Sequence, residues 1–543
     1  MFDSLFGRSK PTGRAGSFLA GDRAWLALLL LASLLLYLVN LGGVPLRDWD
    51  EGIYADVSRT MLKAPAAAQA WLYPMIRGQP FTDKPPLLYW LMACAYAIGG
   101  VSEWTARLPG ALLTALSVPL LYAIGRELFA TQRAALFGAG VYLGMLPMVR
   151  HGRLAMLDGA ALCFFLLMVY CLLRARRTPV WGLGLGLAFA LVCLTKGILG
   201  LLLLGVVLVF VALDCPQLLR SVYLWGGLVA GSLAVGWWYG AQWLHYGLEY
   251  MGYVGGEKNF ARVWKSTDQN QGPPWYYLLE LLKYTWPWLI FLPQALVLAW
   301  RSRAESWARL VLLWLAIFLV VISAMATKLP WYVLPVYPAI ALAVGHYLSL
   351  ISKAAPRSWL AGLVLLAVVG WGGCLYFGAF AAPGDRDLLA TVLVLALTMT
   401  LALVLVRRSG SQAALVLLGG SYCCCLLFLL SSHWVWELNE AYPVPPVARL
   451  IRRWTPPDRS VYTSFALGRP SLDFYSDHRV IPASSSELAQ RWQQEAQPFL
   501  LVDAAMLKSL PADGRLVLGS AQGLTLISKL PEAGLAPLTS VAQ

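Results

Sequence analysis

Charged side chains are few in this sequence of 543 residues, where Asp, Glu, Lys and Arg together make up 13% of the chain. A typical soluble domain carries about 25%. Hydrophobic residues account for 59%, so the composition excludes an ordinary soluble protein. Apolar runs of about 20 residues recur from Trp25 to Leu430, and each is long enough to cross the hydrocarbon core of a bilayer. The sequence therefore predicts an all-α polytopic membrane protein.

Cysteine and histidine are also rare where they would build a covalent framework or a metal site. All nine cysteines lie in apolar segments and none lies in the polar C-terminal part. This distribution excludes a disulfide framework and a C-x-x-C metal site. The histidines are scattered along the chain and form no ligand cluster.

A cleavage site is missing after the first apolar run, residues 24–39, although basic residues precede it. We therefore expect residues 1–23 to be a cytoplasmic basic tail and the run to remain as the first span. The net charge of +14 is typical of basic cytoplasmic loops and of contact with anionic lipid. It does not indicate binding to nucleic acid.

The apolar pattern predicts thirteen spans. They are 24–44, 105–125, 133–149, 156–173, 179–195, 197–214, 219–244, 276–299, 306–325, 331–351, 357–380, 388–406 and 412–432. A further apolar piece, 85–100, is short for a span. Placing all the basic clusters on the cytoplasmic side requires thirteen crossings, so we expect 85–100 to lie along the outer surface as an interfacial helix.

The predicted topology brings most of the unusual polar residues to one face, the outer side of the membrane. We expect residues 24–435 to form a transmembrane catalytic domain with outer loops at 45–104 and 245–275. No internal repeat is evident, which disfavours an inverted-repeat transporter. In residues 436–543, a helix at 485–497 alternates with short β-like runs at 461–465, 499–502, 515–518 and 524–527, which predicts a small α/β domain on the outer side.

The densest acidic cluster, Asp48-Trp49-Asp50-Glu51, directly follows the first span. The apolar spacing after it predicts an amphipathic helix that begins at Asp50. Carboxylates in a first turn can serve simply as caps, because the helix dipole favours negative charge there. However, three acids in four residues exceed what a cap requires. A carboxylate in such a cluster can act as a general base towards an acceptor.

Four other positions combine charge with a break in the apolar pattern. Asp83-Lys84-Pro85-Pro86 is a rigid corner in which Lys84 either reaches lipid headgroups or holds a lipid phosphate. Asp158 either caps the span that it begins or contacts a charge or substrate. Lys196 interrupts an apolar hairpin, and such a lysine needs a partner or a polar cavity. Lys328 and Tyr332 begin another span. Glu257-Lys258 lies instead in a long loop, where a run of solvated charges and a functional role are equally good interpretations.

Cations that recognise phosphate, a carboxylate base and an aromatic rim together fit an isoprenoid-phosphate sugar donor. We expect the catalytic group to be Asp50, Glu51 and Asp158. The residues expected to bind substrate are Tyr54, Arg59, Lys84, Arg107, Arg153, Lys196, Lys328 and Tyr332. A single displacement with inversion would need one base and no covalent intermediate.

Several spaced motifs resemble those of the bacterial aminoarabinose transferase (ArnT) type, which belongs to the GT-C glycosyltransferases together with protein O-mannosyltransferases. The motifs are D-W-D-E-G-I-Y-A-D-V-S-R-T-M-L from Asp48, F-T-D-K-P-P-L-L-Y-W from Phe81, A-R-L-P-G-A-L from Ala106, R-L-A-M-L-D from Arg153, L-T-K-G from Leu194 and K-L-P-W-Y-V-L-P from Lys328. The resemblance covers about residues 25–350. It implies a GT-C fold with thirteen spans, an undecaprenyl-phosphate-linked sugar donor, and Asp50 as the base.

The sequence departs from that family in two places. Family members commonly have Glu at the position of Asp83 and an E-H pair, able to hold a metal, at Glu257-Lys258. Because Lys258 replaces that histidine, we expect no metal and no cofactor, with Lys258 pairing with Asp83 instead. The connection at 63–69 is also longer and rich in alanine.

We therefore expect an inverting glycosyltransferase with a lipid, glycan or protein acceptor. It would act as a monomer in contact with the lipids of the bacterial inner membrane, with its active site and C-terminal domain on the periplasmic side. A polyprenyl-linked sugar or lipid flippase is the alternative. The clustering of polar residues in outer loops disfavours it.

Overall fold

The computed structural model describes residues 20–252, 264–266, 270–351, 358–435, 443–465 and 468–529. The chain divides into two compact units. The first contains residues 1–43, 82–91 and 107–435, and the second contains 44–81, 92–106 and 436–543. The second unit thus includes two segments that the sequence analysis assigned to the membrane domain.

Most of the described chain is helical. The helices are α1 (Ala20–Leu38), α2 (Asp50–Lys63), α3 (Leu87–Gly99), α4 (Glu103–Leu128), α5 (Gln132–Leu143), α6 (Leu146–His151), α7 (Leu157–Ala175), α8 (Trp181–Lys196), α9 (Leu199–Asp214), α10 (Val222–Tyr246), α11 (Leu248–Met251), α12 (Tyr276–Tyr284), α13 (Leu292–Arg301), α14 (Ser306–Ala324), α15 (Tyr337–Leu350), α16 (Ser358–Leu375), α17 (Leu388–Val406), α18 (Gly410–Leu430), α19 (Val444–Trp454), α20 (Pro470–Ser476), α21 (Ser485–Gln494) and α22 (Ala504–Ser509). Short 3₁₀ turns include Pro330–Val336 and Ser432–Trp434.

Among the described residues, eight helices are long and apolar enough to cross a membrane. They are Gly21–Leu38, Glu103–Leu128, Leu157–Ala175, Ser306–Ala324, Pro330–Leu350, Trp359–Phe380, Leu388–Val406 and Gly410–Leu430. The interfacial segment predicted at 85–100 is the 13-residue helix α3. At 1.5 Å rise per residue such a helix is about 20 Å long, shorter than the roughly 30 Å hydrocarbon core.

The span predicted at 133–149 is not one continuous helix. Helix α5 ends at Leu143, and α6 begins after Gly144 and Met145, with Pro147 in its first turn. Proline has no N–H to donate, so a helix interior disfavours it while a helix start accepts it.

The span predicted at 276–299 is interrupted as well, for a related reason. Helix α12 ends at Tyr284, a 3₁₀ turn follows at Trp288–Ile290, and α13 begins at Leu292. Pro287 and Pro293 flank that turn. A proline in a helix interior removes one backbone hydrogen bond and clashes with the preceding turn, so the apolar run divides into two short helices.

The second unit contains a five-stranded mixed sheet, in the order β4-β3-β5-β7-β6, and a small antiparallel pair, β1-β2. The strands are β1 (Met75–Ile76), β2 (Gln79–Pro80), β3 (Val461–Thr463), β4 (Val480–Pro482), β5 (Leu500–Val502), β6 (Arg515–Ala521) and β7 (Leu524–Lys529). Strand β3 pairs in parallel with β4 and β5, whereas β7 is antiparallel to β5 and β6. The turn between β6 and β7 places Gln522 and Gly523 at positive φ, as tight hairpins of this kind require.

The two faces of this sheet carry separate apolar cores because strand residues alternate between faces. Leu501 and Leu526 belong to a cluster with α19 and α20. Leu500 and Ile527 belong to a second cluster with α21 and α22. The predicted strands and the helix at 485 are present in this α/β arrangement, while β4, α19, α20 and α22 were not predicted.

Candidate active site

Asp158 and Lys196 form an ion pair in the first unit. Asp158 lies in the first turn of α7 and Lys196 is the last residue of α8, so each charge lies at the helix end whose dipole favours it. The Lys196 ammonium donates to Asp158 Oδ1. Gly197 follows at φ 58°, where an added Cβ would lie 3.2 Å from Tyr239 Oη. The L-T-K-G motif thus combines a charged helix end with a residue that lets the chain reverse.

Tyr332 lies next to this pair, because the 3₁₀ turn at Pro330–Val336 brings its ring to 5.8 Å from Lys196 Nζ. An aromatic face at this distance stabilises a cation. Three residues that the sequence analysis selected separately are therefore neighbours in the structure.

A small open cleft joins Lys196 to the Asp83-Lys84 corner. The residues that line it are Thr82, Asp83, Lys84, Pro85, Lys196, Gly197, Trp238 and Tyr239. The sequence analysis did not select Trp238 and Tyr239, since they lie in an apolar run with no polar motif around them. Two lysines beside aromatic and proline side chains suit a phosphate that is attached to an apolar chain.

Lys328 has a different environment. Its ammonium donates to Ile322 O at 3.1 Å and Ser323 O at 2.6 Å, and also to Met325 O. These carbonyls lie at the C-terminal end of α14, where backbone acceptors lack helical partners. The lysine is 4% exposed. Because its ammonium donates to these carbonyls, Lys328 caps the C-terminal end of α14.

Arg107 and Arg153 are fully buried around Trp434. Their guanidinium carbons lie 5.0 and 4.5 Å from the Trp434 ring centroid. Arg107 donates to Leu41 O at 3.0 Å, and Arg153 donates to Leu36 O at 3.1 Å and to Val39 O. These contacts hold the C-terminal end of α1 and the residues that follow it.

In the second unit, the acidic cluster begins α2. Asp50 is its first residue and is half-buried, and Tyr54 Oη donates to Asp50 Oδ1 at 3.4 Å. Glu51 is 2% exposed and accepts from Arg47 N at 3.1 Å. Trp49 precedes the helix at φ 62° and ψ −115°. A side chain other than glycine in this region costs on the order of 1–3 kcal/mol, and such strain is often found at functional sites.

Arg59 is held inside the second unit. It pairs with Asp56, donates to Phe474 O at 2.7 Å, and lies 3.1 Å from Asp477 Oδ1. Near it, Asp473 binds Arg77 and accepts from Val480 N at 2.7 Å. Burial raises the pKa of Asp473 to about 7, although the Arg77 charge opposes this rise. Arg59, which was predicted to bind substrate, thus lies in a largely buried network of carboxylates and guanidinium groups.

Glu257 and Lys258 lie outside the described residues, as does the pair predicted between Lys258 and Asp83. Within the described part of the chain, no three His, Cys, Asp or Glu side chains are grouped in a way that could hold a metal ion.

Known proteins resemble this chain in sequence. Residues 83–239 match the family model described as dolichyl-phosphate-mannose-protein mannosyltransferase. The chain is 31% identical over 373 residues to the undecaprenyl phosphate-alpha-4-amino-4-deoxy-L-arabinose arabinosyl transferase of Pectobacterium carotovorum subsp. carotovorum strain PC1, covering 65% of this chain and 66% of that protein. It is 32% identical over 338 residues to arabinosyl transferase 1 of the same description from Pseudomonas fluorescens Pf-5, covering 60% of each. The aligned region is thus slightly less than two thirds of these relatives.

The fold is also similar to a solved structure. The crystal structure of ArnT from Cupriavidus metallidurans bound to undecaprenyl phosphate matches with a TM-score of 0.76 and 22% identity, covering 93% of this chain and 98% of that one. This match confirms the ArnT-like GT-C fold expected from the motifs, while the number of thirteen spans stays a prediction. The chain is thus similar in sequence to these arabinosyl transferases and similar in fold to ArnT.

Proposed function

We propose that the chain is an inverting glycosyltransferase that moves a sugar from an undecaprenyl-phosphate-linked donor to a lipid, glycan or protein acceptor. The observation that carries this proposal is the cleft that joins Lys84 to the Lys196–Asp158 pair. Two ammonium groups can neutralise a lipid phosphate both in the bound donor and as it leaves. The names of the sequence relatives and of the solved structure agree with this donor class.

Four residues that line the cleft, and two residues that contact Lys196, have separate tasks in this proposal. Lys196 and Lys84 hold the donor phosphate, and Asp158 orients Lys196 through their ion pair. Tyr332 supports the Lys196 ammonium with its ring. The aromatic side chains of Trp238 and Tyr239 contact the apolar part of the donor.

Asp50 is the proposed base. It removes a proton from the acceptor oxygen, which attacks C1 of the sugar from the side opposite the phosphate. The new C1–O bond forms as the C1–O bond to phosphate breaks, and undecaprenyl phosphate leaves with the electron pair. The configuration at C1 is inverted, and no covalent intermediate with the protein is needed.

The basic clusters at the N-terminus and at 126–133, 174–177, 301–309 and 407–408 support cytoplasmic ends for the corresponding helices. With thirteen crossings, the loops that contain Asp50, Lys84 and Lys196 and the C-terminal α/β region face the periplasm. The donor would therefore be used at the outer leaflet of the inner membrane.

The test compares glycolipids, surface polysaccharide and envelope proteins by mass spectrometry in cells with the chain, without it, and with Asp50→Asn. We expect a glycosylated species that is lost without the chain and is restored by wild type alone. Native mass spectrometry of purified D50N protein should still show bound undecaprenyl phosphate. Restoration by D50N would contradict the assignment of the base, and identical profiles in all cells would contradict the function.

A further inference from the structure

The carboxylates of the acidic cluster are engaged differently. Both oxygens of Asp48 are bound to the C-terminal region of the second unit: Oδ2 to Arg469 Nε, and Oδ1 to the hydroxyl and backbone N–H of Ser471. The N–H contact is 3.1 Å long, and Asp48 is 6% exposed. Asp50, two residues later, is half-buried and begins α2.

The same short helix, α20, holds the chain on both sides of Asp48. Tyr475 Oη accepts from Leu46 N at 2.7 Å, and Phe474 O accepts from Arg59 at 2.7 Å. Gly52 lies so close that an added Cβ would be 2.6 Å from Ser471 N. Residues 46–59 are therefore fastened to α20 at several points along their length.

Trp49 connects the fastened Asp48 to Asp50. Its backbone has the positive φ that L-residues rarely adopt, so surrounding contacts must maintain this conformation. The Asp48 contacts precede this residue, and the close approach of Gly52 to α20 follows it. The direction in which α2 begins depends on both.

We infer that Asp48, together with Arg469 and Ser471, is a positioning residue that sets the location of the Asp50 carboxylate. This inference rests on the proposed function, because it takes Asp50 to be the base. The C-terminal α/β region then has a direct part in sugar transfer. It supplies Arg469 and Ser471 as partners of Asp48, and without them the strained turn at Trp49 relaxes.

A positioning role predicts a specific kinetic effect. A base displaced by about 1 Å loses on the order of 100-fold in rate, whereas donor binding elsewhere is unaffected. In the full-length Asp48→Asn protein, we expect kcat to fall by about 10- to 100-fold with KM for the donor within about 2-fold of wild type. The assay follows release of undecaprenyl phosphate from undecaprenyl phosphate-α-4-amino-4-deoxy-L-arabinose in the presence of lipid extract from cells without the chain.

A double variant separates positioning from general loss of structure. If Asp48 acts through Asp50, its replacement has no further effect once Asp50 has been removed. The residual rate of D48N/D50N should therefore equal that of D50N. Independent, multiplying losses would overturn the inference. Arg469→Gln provides a second route to the same result if D48N fails to fold.

Asp503→Asn is the matched control. Asp503 accepts from Met506 N at 2.8 Å and caps α22 in the same unit, so its replacement by Asn makes the same chemical change at an exposed carboxylate far along the chain from α2. We expect D503N to retain the wild-type kcat. A drop in D503N equal to that in D48N would mean that only general stability of the unit matters.

Hydrogen exchange separates failure of this inference from failure of the proposed function. The amides of Gly52 and Ile53 should exchange at least about 10-fold faster in D48N than in wild type, because local opening becomes easier. Unchanged exchange would overturn the inference whether or not the chain transfers sugar. Faster exchange in a protein that shows no turnover with any polyprenyl-phosphate sugar would uphold the Asp48 contact and reject the proposed function, and with it the role assigned to Asp50.

Discussion

The first unit contains two groups of cations, and their surroundings differ. Arg107 and Arg153 are completely buried, lie over the Trp434 ring, and donate to backbone carbonyls. Lys84 and Lys196 are only partly buried and line a cleft. All four residues have the same formal charge, and all four were expected to bind substrate.

We infer from this difference that the surroundings of a cation, and not its charge, separate a structural role from a functional one. The planar guanidinium group reaches several carbonyls at once, which suits it to hold irregular backbone inside a protein. An ammonium group at the edge of a cleft keeps directions in which a ligand phosphate can approach. We therefore propose that the arginines hold the end of α1 and that the two lysines bind the donor.

The largest effect should come from the arginine group. Trp434→Ala removes a fully buried ring and two cation–π contacts, so we expect the protein to lose about 3–5 kcal/mol of stability. Thermal unfolding in nanodiscs measures this loss. The exposed Trp300 provides the control, because W300A should unfold almost as wild type does. Equal behaviour of the two variants would contradict the structural role.

The lysine group should show the opposite pattern. Asp158→Asn combined with Lys196→Gln removes both charges of the ion pair and leaves no unpaired charge, so the fold should persist. We expect undecaprenyl phosphate to bind about 100-fold more weakly, which corresponds to about 2.7 kcal/mol. Binding measured by native mass spectrometry tests this expectation. Wild-type affinity in the double variant would show that the pair is structural.

Lys328 is a lysine, like Lys84 and Lys196 of the cleft, but it donates to backbone carbonyls, as the two arginines do. Although it was expected to bind substrate, its ammonium caps the carbonyls at the end of α14. We propose that Lys328→Ala lowers stability by about 1–2 kcal/mol and changes undecaprenyl phosphate affinity by less than about 3-fold. A large loss of affinity in a stable K328A protein would instead place Lys328 with the cleft lysines.

The smallest expected effect concerns a carboxylate in the second unit. Because the group is buried, the pKa of Asp473 is about 7 in the folded protein. Between pH values of about 4 and 7, the folded state therefore binds more protons than the unfolded state, in which the pKa of an aspartate is about 4. The stability of this unit should therefore fall as pH rises, by about 1 kcal/mol between pH 6 and pH 7. Burial also raises the pKa of Asp56, whereas Lys63 and Arg59 lower that of Asp477 against the effect of its own partial burial.

Hydrogen exchange of the Val480 amide, corrected for intrinsic rates, measures this pH dependence, since that amide donates to Asp473. Asp473→Asn should remove most of the slope. An unchanged slope in D473N would assign it to the other groups of the network, Asp56 and Asp477 with Arg59 and Arg77.

The local patterns of the sequence predicted several features well. The helix that begins at Asp50 is α2, and the break at Lys196-Gly197 is the end of α8. Both depend on short-range chemistry: apolar spacing, a charged end and a glycine. The breaks within the spans predicted at 133–149 and 276–299 were not predicted, because hydropathy averages over a window and gives proline little weight.

Long-range partners could not be predicted in the same way. Asp48 binds Arg469 and Ser471, which lie 421 and 423 residues further along the chain. Arg107 and Arg153 both lie over the ring of Trp434. Trp434 belongs to a 3₁₀ turn for which the sequence predicted no role. Nothing in the local sequence around either member of these pairs identifies the other.

The sequence by itself determined the class of the protein, the acidic cluster at Asp48–Glu51 and the set of cations that could meet a phosphate. These are properties of composition and short spacing. Only the tertiary structure decided which groups are engaged with the protein itself, since that depends on distances between segments that folding brings together. It joined Lys196 to Asp158 beside a cleft, buried Arg107 and Arg153 against carbonyls, and fastened Asp48 to α20.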